Sequence, residues 1–172
     1  TADAQEAGVG RRGRSWSSEK GAGIYMSMVV RPQMETETVC MLTLVAALAV
    51  AKTLENIGIY SKGTPCIKWP NDIVLNRKKI CGILTELTLK GRSIDYVIIG
   101  IGINVLNPIF PEEIKETASS ILLETGRNID RENLISEIWT CFDVYYEKFL
   151  HTQDFSLLKE EYEIYLVNKY QN

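Results

Sequence analysis

ICGILTELTLKGRSIDYVIIGIGINV, residues 80–105, decides the fold. Two apolar, β-branched runs, Ile80–Leu89 and Ser93–Val105, flank the short segment Lys90-Gly91-Arg92. Runs of this kind joined by a short glycine-containing turn read as a β-hairpin. Upstream, Gly21–Pro32 is short, β-branched and aromatic and ends at proline, the pattern of a buried strand. Cys66–Pro70 reads as a strand end entering the turn Pro70-Asn71-Asp72. Ile73–Leu75 is a short strand and Asn76–Lys79 a polar turn. Residues 36–57 predict a helix, with Thr36 or Thr38 as its cap and Gly58 as its stop. Apolar residues spaced three and four apart (Leu134, Ile138, Phe142, Tyr145, Phe149) predict a helix over 130–150, and a second amphipathic helix over 154–168 closes the chain. Strands in the middle with helices around them give an α+β domain on a mixed or antiparallel sheet flanked by helices.

Composition narrows the function classes. The 172 residues are 45% hydrophobic and 24% charged, as expected of one globular domain, and exclude disorder and coiled coil. Nineteen Lys and Arg against 22 Asp and Glu leave a charge of −3, which argues against a broad grip on nucleic acid. The longest apolar run, Val39–Ala51, falls short of the ~20 residues of a membrane span and reads as a core helix, so no membrane partner is expected. The single histidine, His151, would have to serve any Ser-His or Cys-His pair; its place at a helix end predicts a solvated side chain instead. Cys40, Cys66, Cys81 and Cys141 form no C-x-x-C pair and have no histidines near them, so no metal ligands are expected. The expectation is buried free thiols in a reducing cytoplasm. The chain begins at Thr1 rather than at Met, which suggests a piece of something longer.

Three segments carry candidate chemistry. Ala7-Gly-Val-Gly-Arg-Arg-Gly-Arg-Ser-Trp16 places three glycines and three arginines in seven positions with no acid among them. Glycines let the backbone approach a ligand and arginines fork onto phosphate oxygens, so the segment describes a loop that closes over phosphate. Gly8-x-Gly10-x-x-Gly13 matches the dinucleotide fingerprint formally, but no apolar helix follows and residue 33 is Gln rather than an acid. It is not a Walker loop either, since no Gly-Lys-Ser/Thr follows; a solvated basic turn is the plain alternative. In Lys68-Trp69-Pro70-Asn71-Asp72, rigid neighbours can hold a lysine as a point charge for a carboxylate or phosphate; a surface lysine beside a packed Trp is the alternative. Gly100-Ile-Gly102-Ile-Asn104 ends an apolar strand with glycines that mark either close approach of a ligand or a sheet bulge, and Asn104 is placed to read an adenine or ribose edge.

Taken in order, Gly8 to Trp16, Lys68 to Asp72, Gly82 to Glu86 and Gly100 to Asn104 resemble the motifs of the catalytic domain of biotin protein ligases, with Ala118-Ser-Ser resembling a further one. The resemblance implies a biotin–lipoate ligase catalytic domain, class II aminoacyl-tRNA synthetase-like in fold. It implies ATP-dependent activation of biotin as biotinyl-5′-AMP and transfer to a lysine of a biotin carboxyl carrier protein, with ATP, Mg²⁺ and biotin as the small molecules. Lys68 and Arg11 are the implied catalytic residues. Gln5, Gly8, Arg11, Lys68, Gly82, Ile83 and Leu84 match the biotin side, and Arg12, Arg14, Trp16, Asn71 and Asn104 the nucleotide and phosphate side. Val9 stands where the family usually has the first arginine of the loop, which predicts weaker holding of ligands. The resemblance also leads us to expect an N-terminally incomplete catalytic domain over 1–172, with the C-terminal SH3-like and DNA-binding domains absent, and it allows a homodimer. Ligation of another acyl group such as lipoate and a non-catalytic biotin-binding module stay open as alternatives.

Overall fold

The computed structural model describes residues 1–59 and 64–167. Five antiparallel strands form one sheet: β1 (Gly23–Val30), β2 (Cys66–Lys68), β3 (Asp72–Leu75), β4 (Lys78–Lys90) and β5 (Ser93–Asn104), in the order β1-β5-β4-β3-β2. The hairpin expected at 80–105 is β4 and β5, turning at Gly91 with φ +65°. Helices α1 (Thr36–Val39), α2 (Leu42–Asn56), α3 (Ile121–Thr125), α4 (Arg131–Thr152) and α5 (Lys159–Tyr165) complete the domain. The sheet is antiparallel throughout, which settles the mixed-or-antiparallel expectation.

One face of the sheet carries the core. Val97, Ile99, Ile101 and Ile103 of β5 are buried at alternate positions, as a half-covered strand requires. They share that core with α2, which also packs against α4 and α5. Covered on both sides, α2 is apolar nearly all round, with Leu42, Val45, Leu48 and Leu54 fully buried. The stretch Thr36–Asn56 is longer than the apolar run suggests and apolar enough to pass as a membrane span; in the fold it is the core helix.

Several boundaries differ from the sequence reading. The helix over 36–57 is two pieces, broken at Cys40–Met41, and neither threonine caps it: Glu35 holds the N-cap position of α1 without a side-chain bond. Gly58 is the stop, at φ +71°, and Arg127 Nη1 donates to the Ile57 and Gly58 carbonyls that the helix end leaves open. The helix expected over 154–168 is only α5, because Asp154 accepts from the Ser156 amide and bends the chain before Lys159; Leu166 instead forms a bridge beside Ile67 on β2. Position 168 lies outside the described residues. Only Cys81 is a fully buried thiol, and burial pushes its titration up; Cys66 and Cys141 are partly buried and Cys40 is exposed. His151 lies exposed in the last turn of α4, as expected.

Candidate active site

The other face of the sheet is left open, and its shape follows from register. Directly paired residues of antiparallel strands project to the same face. One row across the sheet is therefore Tyr25, Gly102, Gly82, Asp72 and Lys68; the next is Ser27, Gly100 and Leu84. The glycines leave a trough in the middle of these rows. A Cβ on Gly82 would lie 2.7 Å from Trp16 Cζ3, and one on Gly102 2.7 Å from Trp16 Cε2, so the indole rests directly on the two backbones. Of the two readings open for Gly102, close approach or a sheet bulge, the structure shows close approach, and the group that approaches is this chain's own Trp16. The bulge alternative does not hold, since β5 pairs without irregularity through this stretch.

Above the trough stands the arginine loop, folded as a small hairpin. Trp16 N donates to Gly8 O at 2.8 Å, Gly10 N donates to Arg14 O at 2.6 Å, and Val9 bridges Ser15. The tip turns through Arg12 (φ +60°) and Gly13 (φ +74°). Arg11, Arg12 and Arg14 are exposed, and none of their guanidinium groups forms an ion pair among the described residues. Between hairpin and sheet lies a cleft of about 450 Å³.

Of the residues expected at the site, Gln5, Arg11, Trp16, Asn71, Gly82, Ile83 and Leu84 line this cleft. Asn71 is tied to β4 in both directions: its Nδ2 donates to Ile83 O at 2.9 Å, while Ile83 N donates to the Asn71 backbone O at 2.8 Å. Gly8, Arg12 and Arg14 lie off the cleft wall, Gly8 buried at the hairpin's base and the two arginines exposed. Asn104 is 5% exposed, its Nδ2 donates to Ser119 O at 3.0 Å, and it is not among the residues that line the cleft.

Register gives Lys68 the right face, but it is exposed on β2, the outermost strand, and is not among the residues that line the cleft. The lysine that does is Lys79, which the sequence reading left in a polar turn. Its ammonium lies 2.7 Å from Asp72 Oδ1 and 5.3 Å from the Trp16 ring centroid. Plain alternation would put residue 79 on the face opposite to Gly82. Between Ile73 and Val74 the partners jump from Cys81 to Lys79, so Ile80 is an extra residue in β4. A bulge re-aims the side chains beside it, and here it turns Lys79 toward the cleft. No single-sequence signal marks such a bulge. The Trp16 indole nitrogen is buried without a partner among the described residues, a donor left available beside the trough.

The arrangement can receive an anion. A fixed ammonium lies at the sheet, unpaired guanidinium groups stand on the loop, and Leu84 and Ile98 on the open face give the cleft an apolar wall. Glu86 is the acid on its lining. Fold and cleft thus define an α+β ligand-binding domain whose open sheet face takes a molecule with an anionic end.

Comparison with known proteins specifies the class. The model of the Biotin/lipoate A/B protein ligase family matches residues 1–104. The bifunctional ligase/repressor BirA of Bacillus subtilis (strain 168) is 42% identical over 167 residues, 95% of this chain and 50% of that protein. The biotin–(acetyl-CoA-carboxylase) ligase of Paracoccus denitrificans is 34% identical, covering 80% of this chain and 58% of that one. The Aquifex aeolicus biotin protein ligase in complex with biotin and ATP superposes with a TM-score of 0.83 at 34% identity, over 96% of this chain and 66% of that one. The chain belongs to the Biotin/lipoate A/B protein ligase family. It spans about half the length of the curated relatives it matches.

Proposed function

We propose that the cleft binds biotin and ATP and joins them as biotinyl-5′-AMP. The observation that carries this reading is the Lys79 ammonium, fixed over Gly82 beneath the Arg11 loop. Family membership and the biotin and ATP in the Aquifex relative's complex support it. In the first step a biotin carboxylate oxygen attacks the α-phosphorus of ATP; the bond to the bridging oxygen breaks and pyrophosphate leaves. Two anions must meet, so cations must screen them. Lys79 lies at the junction, and Arg11 on the cleft wall faces the departing charge. In the second step the neutral amine of an acceptor lysine attacks the acyl carbon and AMP departs, with one proton released from the amine. Charge then collects on the acyl oxygen, which the same ammonium stabilises. No protein nucleophile is needed.

Among the described residues no three His, Cys, Asp or Glu side chains gather to hold a metal. By family resemblance, Mg²⁺ enters with ATP as part of the substrate. By family resemblance the acceptor is a biotin carboxyl carrier protein. We place the reaction in the cytoplasm, where free Cys66 and Cys141 stay reduced. The test is incubation with biotin, Mg·ATP and a carrier domain, read by mass spectrometry. The expected result is a carrier heavier by one biotinyl group. An unlabelled carrier with no biotinyl-5′-AMP formed contradicts the proposal.

A further inference from the structure

Lys79 is gripped from two sides. Asp72 Oδ1 is shielded from solvent and lies 2.7 Å from the ammonium, an ion pair held by charge and proximity without hydrogen-bond geometry; the Trp16 ring faces the same ammonium at 5.3 Å. Both neighbours are themselves fixed. Asp72 sits on β3 opposite Gly82, and Trp16 rests on the backbones of Gly82 and Gly102. A lysine has a flexible four-carbon stem, and fixing it during reaction would cost conformational entropy. Here the fixing is built in before any ligand arrives. Lys68 makes the contrast: it pairs in register with the same Asp72, yet its ammonium has no ion-pair partner among the described residues.

We propose that Asp72 is a positioning residue, acting with the Trp16 indole as a clamp that holds the Lys79 ammonium over Gly82 for the ligand's anionic groups. The choice of ligand rests on the biotin and ATP reading; the clamp itself rests on the contacts. Because Trp16 closes the base of the arginine hairpin, the clamp also ties the loop to the sheet. Displacing the hairpin displaces one jaw, so loop position and lysine position vary together.

Two readouts test this. The chain has three tryptophans, so Trp69→Phe with Trp139→Phe leaves Trp16 as the sole emitter. In that background, Asp72→Asn and Lys79→Met should each raise acrylamide quenching of Trp16 about twofold, as the cation leaves the ring face. Asp72→Glu keeps the carboxylate and should stay near the parent value. In adenylate formation from biotin and Mg·ATP, Asp72→Asn should lower kcat about 10- to 100-fold, the scale of a misplaced catalytic group. Combined with Lys79→Met it should add nothing to the loss caused by Lys79→Met alone. Losses that add, or Trp16 quenching in Asp72→Asn equal to the parent, overturn the clamp. If the parent makes no adenylate, the biotin and ATP reading fails by itself, and the quenching series still decides for or against the clamp.

Discussion

The two faces of the sheet are built from alternate residues of the same strands, yet they solve opposite problems. On β5, Val97, Ile99, Ile101 and Ile103 fill the space beneath α2 completely, while Ile98, Gly100 and Gly102 leave the other side hollow. One face takes its stability from filled volume. The other keeps room for a ligand and fills part of it with one indole, Trp16. Stability and binding can therefore be separated residue by residue along a single strand.

The largest effect should come from the filled face. Ile99→Ala leaves a cavity beneath α2 and is expected to cost about 2–5 kcal/mol in denaturant unfolding, with ligand affinity unchanged in the protein that remains folded. Gly102→Val is expected to do the reverse. Its side chain would displace Trp16 and weaken ATP binding by calorimetry, with a smaller change in Tm. If both substitutions move both quantities equally, the two faces are not separable. Next in size, Arg11→Ala removes an unpaired guanidinium from the cleft wall; one charge-assisted contact is worth about 1.5–3 kcal/mol, so kcat/KM for adenylate should fall about 10- to 100-fold.

Val9→Arg should act in the opposite direction. Val9 is 63% exposed and lines the cleft, so an added cation there is screened and expected to tighten biotin or ATP binding by only about 0.2–1 kcal/mol. An unchanged or raised Kd contradicts this. The smallest effect lies in the last turn of α2. Hydrogen bonds from Tyr165 and Lys52 hold the Glu55 carboxyl below its ordinary value of 4.5. A carboxyl lowered in the folded state adds stability that is complete above that ordinary value and is lost as pH falls through the folded value. Glu55→Gln should thus destabilise at neutral pH, with the gap to the parent closing in acid. A gap that widens in acid would contradict the assigned shift.

How much of this was legible depended on how local the signal was. The hairpin over 80–105, the strand after Gly21 and the all-round apolar α2 are written in runs of residues, and they stand as read. The split at Cys40–Met41 was not, because both residues keep helical dihedrals and only the bonding pattern slips. At the site, the arginine hairpin and the glycine pairs were visible as composition. The choice of lysine was not. Lys68 sits in the more distinctive motif, whereas Lys79 reaches the cleft only because Ile80 is an extra residue in its strand. Asn104 shows a similar non-local effect: its position at the strand end follows the sequence, while its Nδ2 donates to Ser119 O, fifteen residues away.

That distinction between lysines is the central claim, and it has a direct measurement. Biotinyl-5′-AMP formed in a single turnover from biotin and Mg·ATP would be compared in Lys79→Ala and Lys68→Ala. Removing a group aimed at developing charge costs about 100- to 1,000-fold in rate, and that is the loss predicted for Lys79→Ala. Lys68→Ala, exposed on the outer strand, should remain within about threefold of the parent. The reverse pattern, with Lys68→Ala inactive and Lys79→Ala near the parent, would contradict the account.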